Sequence, residues 1–271
     1  MFHASIVLYK TPFDEVDRCI KSLQACRHKN IITIICNDRS ASNYRDIFDD
    51  NISFIDSDNV GYGNAHNIAL LNDRVSCRYN LVINSDLFFS GDQIDALIDY
   101  MELNPDVGLV SPKVTYRDGT IQNLCRLMPS PLMVFGRAFL PFVPYFKRLD
   151  DEYQFAQWSY AQIGNFPYLS GCFMLIRRSV IDNIGGFDKR FFMFFEDVDF
   201  SRRIHSRYKT IFFPDVVIQH EYRSKKALNL KLSRYKAVSA VRYFCKWGWF
   251  FDKKRMQMNH IAKNQFKLKN G

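Results

Sequence analysis

The sequence predicts an α/β fold in which a mainly parallel central sheet is flanked by helices. Strand and helix signals alternate along its first half, as they do where each parallel strand is followed by a crossover helix. Polar segments follow three of the predicted strands, where parallel sheets place their ligands. With 271 residues, of which 47% are hydrophobic and 24% charged, the chain has the composition of a globular protein with one main domain.

Compact apolar runs predict the strands of this sheet. One of them, NIITIIC, is rich in β-branched residues and is typical of a buried central strand. The first four predicted strands span residues 4–9, 30–36, 52–55 and 79–84.

Helices are predicted between these strands. Thr11 and Pro12 supply a cap and a first-turn proline for the first helix. Two further helices are predicted at 63–73 and 91–104, and Pro105 ends the second of these.

The second half of the chain has weaker signals. Residues 120–165 are rich in Pro, Phe and Met without a clear period. We expect them to form a long excursion that lines an acceptor site, touches a membrane surface or only covers the core. The elements predicted after it are a strand at 167–178, a short helix from Ser179 to Gly185, a helix that starts within 191–203, and strands at 210–214 and 216–220.

Positive charge is concentrated at the C-terminal end. The chain has a formal net charge of +9, and from Glu221 onward 14 Lys and Arg residues stand against two acids, a net charge of +12. The part before Glu221 therefore carries −3. A basic tail favours an anionic partner such as membrane lipid, a phosphorylated carrier or nucleic acid. The acidic body is a poor surface for a duplex, so no nucleic-acid partner is expected.

The tail, residues 225–271, is predicted to be a basic amphipathic helical segment attached to a body formed by residues 1–224. Its apolar residues recur at steps of three and four, and WGWFF follows them. Such segments commonly lie in an anionic membrane interface. The alternative is that the stripe packs on the body, and both can hold in part. The stripe consists of Leu228, Leu232, Tyr235, Val238, Val241 and Cys245.

Cysteine usage and the N-terminus suggest a cytoplasmic protein. The seven cysteines are scattered without a CxxC pair, which favours reduced thiols over disulfides or a zinc site. The start, MFHASIVLYK, lacks the pattern of a signal peptide, and no apolar run is long enough to span a membrane. We expect a peripheral protein on the inner face of the cytoplasmic membrane.

Polar segments after the second, third and fourth strands mark the expected ligand edge of the sheet. They are NDRSAS (37–42), DSDNVGYGNAHN (56–67) and NSD (84–86). Each alone has the composition of an ordinary turn. Because parallel strands bring their carboxyl ends to the same edge, the three together predict a binding site.

Three carboxylates follow an aromatic run in FFMFFEDVDFSRR. Glu196 and Asp197 lie at a predicted helix start, where the helix dipole favours carboxylates. Asp199 has Arg202 and Arg203 three and four residues ahead, so it can form an ion pair within the helix. Helical spacing turns Asp197 toward the sheet instead of toward water.

These motifs resemble those of the inverting family-2 glycosyltransferases with the GT-A fold, particularly the rhamnosyltransferase-like branch. The resemblance covers residues 4 to about 224. Its most specific part is LSGCFMLIRRSVIDNIGGFDKRFFMFFEDVDFSRRI, followed by FPDVVIQH. The family's Ser-Gly strand, Arg-Arg pair, Gly-Gly-Phe-Asp, aromatic run, Glu-Asp-x-Asp and later histidine occur there in that order. NVGYGNAHN and NSD precede them in the expected order.

The resemblance implies a donor site and a metal site. Asp38 resembles the family's base-contacting acid, although a register shift of one residue would put Asn37 there. Asp86 and His220 would hold Mg²⁺ or Mn²⁺ against the donor diphosphate, although Asn84 replaces the first acid of the family's Asp-x-Asp motif. The implied donor-binding residues are Tyr9, Asn37, Asp38, Asn59, Gly61, Gly63, Asn67 and Asn84.

The resemblance also implies the catalytic residues. Asp197 would be the general base toward the acceptor hydroxyl, while Glu196 and Asp199 shape the site, and Gly171 and Phe195 would lie on the acceptor side.

The implied reaction transfers a sugar to a polyprenyl-linked glycan in bacterial surface polysaccharide synthesis of the O-antigen or capsule type. Rhamnose from dTDP-rhamnose is the first choice of donor, and a UDP-hexose or UDP-N-acetylhexosamine is the alternative. An alternative of another class is a non-catalytic, basic-tailed binding module for membranes or nucleic acid. The sequence leaves a homodimer open.

Overall fold

A computed structural model describes residues 1–41, 44, 49–140, 142–221 and 230–267, in which a central mixed sheet lies between two layers of helices. The strands are β1 (Phe2–Leu8), β2 (Asn30–Cys36), β3 (Ile52–Asp56), β4 (Tyr79–Ile83), β5 (Leu87–Phe88), β6 (Val107–Thr115), β7 (Cys125–Arg126), β8 (Gly164–Asn165), β9 (Tyr168–Leu169), β10 (Phe173–Arg177) and β11 (Lys209–His220). The helices are α1 (Phe13–Gln24), α2 (Tyr62–Leu70), α3 (Gly91–Leu103), α4 (Pro131–Phe139), α5 (Pro144–Tyr153), α6 (Arg178–Ile184), α7 (Glu196–His205), α8 (Leu230–Trp247) and α9 (Lys253–Lys267).

The predicted α/β fold with a mainly parallel sheet is confirmed. The strand order is β3-β2-β1-β4-β10-β6-β11-β5, with β8 also paired to β11, and β7 and β9 form a separate pair. Strands β1, β2, β3 and β4 run parallel, as do β6 and β11. Strand β10 is antiparallel to both β4 and β6. The turn before β10 therefore lies at the edge where β1, β2 and β4 end.

Two apolar cores flank the sheet. One joins β1 and β2 to helices α1 and α3, and the other joins β10 to α2, α6 and α7. Helix α1 begins at Phe13, so Pro12 occupies the cap position and the cap predicted for Thr11 is not formed. At the start of α3 the backbone N–H of Ser90 donates to Gln93 Oε1 at 3.0 Å.

The structure corrects three element predictions for the part of the chain after α3. Strand β6 was not predicted, because Gly108 and Pro112 give its sequence the look of a turn. The two strands predicted at 210–214 and 216–220 are one strand, β11, with an irregular register between Phe213 and Val217. The strand predicted at 167–178 is two strands, β9 and β10, separated by residues 170–172.

The predicted excursion at 120–165 contains helices α4 and α5 together with the short strands β7 and β8. A third apolar cluster joins this segment to α7 and to the last two helices. Within it Phe135 of α4 packs against Phe244 of α8 and stacks on Trp249, with ring centroids 6.2 and 6.1 Å apart.

The described part of the tail is two-sided. Ala240, Tyr243 and Phe244 of α8 are buried against the body. Val238 and Val241 of the predicted stripe are exposed on the other side. Leu228 lies outside the described residues. Packing on the body and an outward apolar stripe therefore occur on the same helix.

A buried ion pair joins α7 to the turn before α9. Arg202 Nη1 and Nη2 donate to the two carboxylate oxygens of Asp252 at 2.6 and 2.7 Å. The sequence spacing allows either Arg202 or Arg203 to pair with Asp199. Only Arg203 takes that role, at 2.8 Å, because Arg202 points toward the tail.

Candidate active site

The Asp197 side chain is fixed by three hydrogen bonds. Its Oδ2 accepts from the backbone N–H of Gly171 at 3.0 Å and from the Tyr168 hydroxyl at 2.9 Å. Its Oδ1 accepts from its neighbour's N–H, that of Val198, at 2.9 Å. A Cβ on Gly171 would lie 3.0 Å from the Asp197 Cβ, so the turn passes close to this side chain. Asp197 is thus a preorganised carboxylate at the ligand edge of the sheet.

The backbone before Asp197 has an unusual conformation. Phe194 and Phe195 have φ values of 66° and 65°, in the left-handed region that non-glycine residues rarely adopt. The two residues reverse the chain just before α7 and present its first turn to residues 170–172. Strain of this kind is typical of functional sites whose surroundings enforce it.

Glu196 differs from Asp197 in its environment. Its side chain is buried and only 6% exposed, and its Oε2 has no hydrogen-bond partner among the described residues. Burial, followed by the charge of Asp197, raises the pKa of Glu196 to about 8. At neutral pH Glu196 is therefore mostly protonated, whereas the adjacent Asp197 side chain accepts three hydrogen bonds.

Asp199 and Phe195 face the tail. The Asp199 carboxylate is fully buried and bonds to Arg203, to Lys246 at 2.6 Å and to Trp247 Nε1 at 2.7 Å. The ring of Phe195 packs against the rings of Tyr243 and Phe244 in α8. The structure thus places both side chains between α7 and α8, away from residues 170–172.

Asp86 and His220 lie together at the ends of neighbouring strands. Asp86 Oδ1 is 3.0 Å from His220 Nε2, and His220 Nδ1 is 3.0 Å from Oε1 of Gln122. Gln122 thus orients the His220 ring so that its Nε2 faces Asp86.

The Asp86–His220 pair fits a divalent cation in its donor chemistry. A carboxylate oxygen and an imidazole nitrogen that face each other are ligand types that a divalent metal ion accepts, and Gln122 supplies the outer hydrogen bond that orients the ring. No group of three or more His, Cys, Asp or Glu side chains with metal-binding geometry occurs in the described parts of the chain. A metal here would complete its coordination with oxygens from the donor or from water.

Tyr62 connects the Asp86 side of the site to the Asp197 side. Its hydroxyl lies 3.0 Å from Asn84 Oδ1 and 2.6 Å from the carbonyl oxygen of Gly171. One hydroxyl proton serves both acceptors, so Tyr62 ties the end of β4 to the turn that holds Asp197. Asn84 is thus placed between the two candidate centres.

Asn37 and Asp38 follow β2 at the same edge. Asn37 is buried, its Nδ2 donates to the Gly61 carbonyl at 3.4 Å, and its Oδ1 has no partner among the described residues. Asp38 accepts from the N–H of Lys10 and from the Ser40 hydroxyl, both at 2.6 Å. The pKa of Asp38 is lowered, because these hydrogen bonds outweigh its burial. Asp38 is therefore an ionised acceptor at this edge.

Tyr9 is half exposed at the end of β1, where the Lys10 ammonium lies 5.7 Å from its ring centroid. This is an open aromatic face next to Asp38.

Asn59, Gly61 and Gly63 of the segment 56–67 have a structural role in the packing of this segment. Gly61 has a φ of 88°, and a Cβ there would lie 1.9 Å from the carbonyl oxygen of Phe192, while Asn59 Oδ1 accepts from its N–H at 3.2 Å. A Cβ added to Gly63 would lie 2.8 Å from the Cβ of Phe187, so there is no room for a larger residue at this position. The segment is thus packed against the aromatic run that precedes Glu196.

Asn67 holds this segment in register. Its amide donates to the Phe187 carbonyl at 2.9 Å and accepts from the Phe187 N–H at 2.8 Å. The side chain therefore clamps α2 to the Gly-Gly-Phe-Asp turn and does not reach Asp86 or Asp197.

Sequence reasoning missed four residues near the site: Tyr62, Gln122, Tyr168 and Arg126, whose Nη1 donates to the Tyr168 hydroxyl at 3.4 Å. Tyr62 and Tyr168 were not singled out, since nothing in a sequence tells which tyrosine hydroxyl meets a carboxylate. Gln122 and Arg126 lie in the segment without a period. The signal available for that segment was its polar DGTIQN stretch between two apolar regions.

Comparisons with known proteins show the family and the fold of this chain. The family description "Glycosyltransferase like family 2" matches residues 10–236. An N-acetylglucosaminyl-diphospho-decaprenol L-rhamnosyltransferase of Mycobacterium tuberculosis is 30% identical over 176 residues, which is 60% of this chain and 56% of that protein. The chain thus matches about half the length of this curated relative.

Solved structures share the fold. GalNAc-T7, crystallised with UDP, GalNAc and Mn²⁺, is similar with a TM-score of 0.65 and 13% identity, over 95% of this chain and 49% of that one. A mannosyltransferase from Pyrobaculum calidifontis, in complex with GDP-Man and Mn²⁺, has a TM-score of 0.56 and 13% identity, over 97% of this chain and 74% of that one. At these identities the likeness concerns the fold alone.

Proposed function

The chain belongs to glycosyltransferase family 2, and we propose that it transfers a sugar with inversion from a nucleotide-sugar donor to a hydroxyl of a lipid-linked glycan. The observation that carries the mechanism is the fixed Asp197 carboxylate, bonded to Gly171 and Tyr168, beside a protonated Glu196.

Asp197 acts in this proposal as the general base. It takes the proton of the acceptor hydroxyl while the oxygen attacks the anomeric carbon and the nucleoside diphosphate leaves. One displacement of this kind inverts the configuration at that carbon. A protonated Glu196 adds no second negative charge, so the attacking oxygen meets a single carboxylate.

Asp86 and His220 would hold a divalent metal, Mg²⁺ or Mn²⁺, in this proposal. Such a metal neutralises charge on the leaving diphosphate. Asn84, positioned by Tyr62, would contact the donor between the metal and the Asp197 carboxylate. Asn37, Asp38 and Tyr9 line the edge where the nucleoside would lie.

We further propose rhamnose from dTDP-rhamnose as the transferred sugar, with a UDP-hexose or UDP-N-acetylhexosamine as the alternative. The support is the similarity to the mycobacterial rhamnosyltransferase, whose name specifies a diphospholipid-linked acceptor. O-antigen or capsule synthesis is the corresponding pathway class.

Membrane association through the tail is part of the same proposal. None of the helices in the described residues is long and apolar enough to cross a membrane. Val238 and Val241 are exposed on α8 between the exposed basic residues Arg234 and Arg242. This pattern suits peripheral contact with anionic lipid at the inner face of the cytoplasmic membrane. A homodimer stays a prediction.

Donor binding by the purified chain tests this function. Calorimetry against dTDP, UDP and GDP, each with and without Mn²⁺, is expected to show binding of dTDP that strengthens with the metal. Preference for UDP would keep the reaction and change the donor. A folded protein that binds none of the three would contradict the proposal.

A further inference from the structure

The loop between α6 and α7, residues 185–195, carries the chain to the proposed base and is held from two sides. On one side the backbone N–H of Tyr62, at the start of α2, donates to the Phe192 carbonyl at 3.0 Å. On the other side the ring of Tyr235 in α8 packs on the ring of Phe192, with centroids 4.7 Å apart. The α6–α7 loop therefore lies between a helix of the body and a helix of the tail.

Ser239 of α8 bonds to this loop at its most unusual point. Its hydroxyl donates to the Met193 carbonyl at 2.8 Å, and the residue is only 2% exposed. Met193 directly precedes Phe194 and Phe195, the two residues in the left-handed region. A non-glycine residue stays in that region only where its surroundings hold it. The Ser239 hydroxyl fixes the peptide group with which this left-handed pair begins.

Lys246 lies about two turns further along α8 and joins the two ends of the loop. Its Nζ donates to Asp188 Oδ2 at 2.7 Å, near the start of the loop, and to Asp199 Oδ1 at 2.6 Å, in the first turn of α7. Trp247 Nε1 donates to the same Asp199 oxygen at 2.7 Å. One ammonium group thus sets the position of α7 relative to the loop that precedes it.

These polar contacts are additional to the packing that attaches α8. The rings of Tyr243 and Phe244 are buried against the body in the same helix. The bonds of Ser239 and Lys246 instead reach the loop and the first turn of α7. Asp197 comes two residues after the left-handed pair. A change of the loop backbone would therefore move the Asp197 carboxylate away from the two donors that hold its Oδ2.

We propose that Ser239 and Lys246 are positioning residues for the base, because they hold the left-handed backbone before α7 and so orient Asp197 toward the acceptor hydroxyl. The inference rests on the proposed function and adds a role for the tail to it. Ser239 acts through the loop backbone, and Lys246 acts through its two carboxylate partners. Helix α8 thereby contributes to the active site in addition to its proposed contact with lipid.

Kinetics of Ser239→Ala in the full chain test this role. The donor is dTDP-rhamnose or UDP-N-acetylglucosamine, whichever the wild type uses, and the acceptor is N-acetylglucosamine linked through a diphosphate to farnesol. Alanine favours a helix at least as well as serine, so α8 stays folded. We expect kcat to fall about tenfold while the KM for the donor and for the acceptor stays within about twofold, because a misoriented base slows the chemical step without weakening binding.

Ser233→Ala is the matched control, since it makes the same substitution at an exposed serine of the same helix. It is expected to have the kcat of the wild type. The urea midpoint of Ser239→Ala is expected to fall by less than about 0.5 M, as the loss of one neutral hydrogen bond implies.

Hydrogen exchange tests the support of the loop without any transfer reaction. The backbone amides of residues 191–199 are expected to exchange about tenfold faster in Ser239→Ala than in the wild type or in Ser233→Ala, because the loop opens more often. Lys246→Met is the second variant and is expected to accelerate exchange in the same residues. Lys254→Met, at an exposed lysine of α9, is its control.

Exchange at the rates of the two controls in both Ser239→Ala and Lys246→Met would overturn the proposal. A wild-type kcat in Ser239→Ala together with faster exchange would also overturn it, because the bond would then support the fold alone. Faster exchange in both variants of a chain whose wild type transfers no sugar would show that α8 holds the loop, while the proposed function would be refuted.

Discussion

At the scale of single residues, the site contains two adjacent carboxyl groups that differ in hydrogen bonding and burial. Asp197 accepts three hydrogen bonds, two of them from Gly171 and Tyr168. Glu196 is buried with one oxygen unpartnered among the described residues. Hydrogen bonds favour the charged form of a carboxyl group and burial favours the neutral form, which separates the two roles.

The raised pKa of Glu196 predicts that the free energy of unfolding of the protein depends on pH. Its folded pKa of about 8 lies above the ordinary value of 4.5, so the folded state binds the proton more tightly. Stability is therefore lost as pH rises from about 4.5 to about 8 and changes little beyond. At about 1.4 kcal/mol per pKa unit the loss is on the order of several kcal/mol.

Glu196→Gln mimics the protonated side chain, so it is expected to remove most of this loss. Urea unfolding of the wild type and the variant at pH 5, 7 and 9 measures it. Parallel pH profiles for the two proteins would refute a raised Glu196 pKa.

Loss of the Tyr168 hydroxyl is expected to lower kcat without changing the affinity for the donor. Tyr168→Phe removes the hydroxyl that fixes Asp197 Oδ2 while the Gly171 N–H remains. We expect kcat to fall by roughly 10- to 100-fold with donor affinity unchanged, because the base loses part of its orientation. Tyr145→Phe, on an exposed tyrosine, is the control. A kcat equal to that of the wild type would show that the hydroxyl does not position the base.

At the scale of elements, the sequence was sufficient where local signals and tertiary packing agree. The strands β1 to β4 and helices α1 to α3 were predicted close to their observed limits, because their apolar periods match the faces they bury. The element with Gly108 and Pro112 was missed, since pairing with β11 overrides the turn signal of these residues. The convergence of β7, α4 and α8 around Tyr168 depends on contacts between distant segments, which no local pattern encodes.

The candidate site, like the fold, was predicted from the sequence only in part. Asp86, His220 and Asp197 were proposed from the resemblance to the family's motifs, and the structure brings them to one edge of the sheet. Asp199 and Asn67 belong to the same motifs but hold elements together. A motif does not distinguish a side chain that faces the cleft from one that faces the next helix.

Gly61 predicts a severe packing effect. Gly61→Ala would place a Cβ 1.9 Å from the Phe192 carbonyl oxygen at a φ of 88°. Backbone strain costs about 1–3 kcal/mol, and the clash adds to it, so the free energy of unfolding is expected to fall by more than about 2 kcal/mol.

Gly119→Ala separates these two contributions. Gly119 has a similar φ of 83° with no atom within 4 Å of an added Cβ, so it carries the strain alone. Urea unfolding of both variants is the measurement. Equal destabilisation would mean that the contact with Phe192 contributes nothing.

At the scale of the whole molecule, the tail is bound to helix α7, which carries the proposed base. Asp252 pairs with Arg202 inside the protein, and Lys246 and Trp247 bond to Asp199 two residues from the base. Helix α9 adds contacts, since Asn259 bonds to both the N–H and the carbonyl of Met128. Folding of the described tail residues therefore shapes the site that the first part of the chain supplies.

The contribution of the Arg202–Asp252 ion pair to stability can be measured by substituting Asp252. Asp252→Asn leaves a buried guanidinium without its counter-charge, and we expect a loss of about 3–5 kcal/mol in the free energy of unfolding. Asp58→Asn, which breaks the exposed ion pair with Arg39, is expected to cost less than about 1 kcal/mol. Similar losses in the two variants would mean that the buried pair does not secure the tail.

The role of Asp197 as the base of the sugar transfer is tested most directly by the turnover of Asp197→Asn together with its donor affinity. The amide keeps the shape of the side chain and cannot take the acceptor proton. We expect an unchanged dissociation constant for the nucleotide donor and a kcat lowered by a factor of hundreds or more. Turnover at the wild-type rate in this variant would show that Asp197 is not the base.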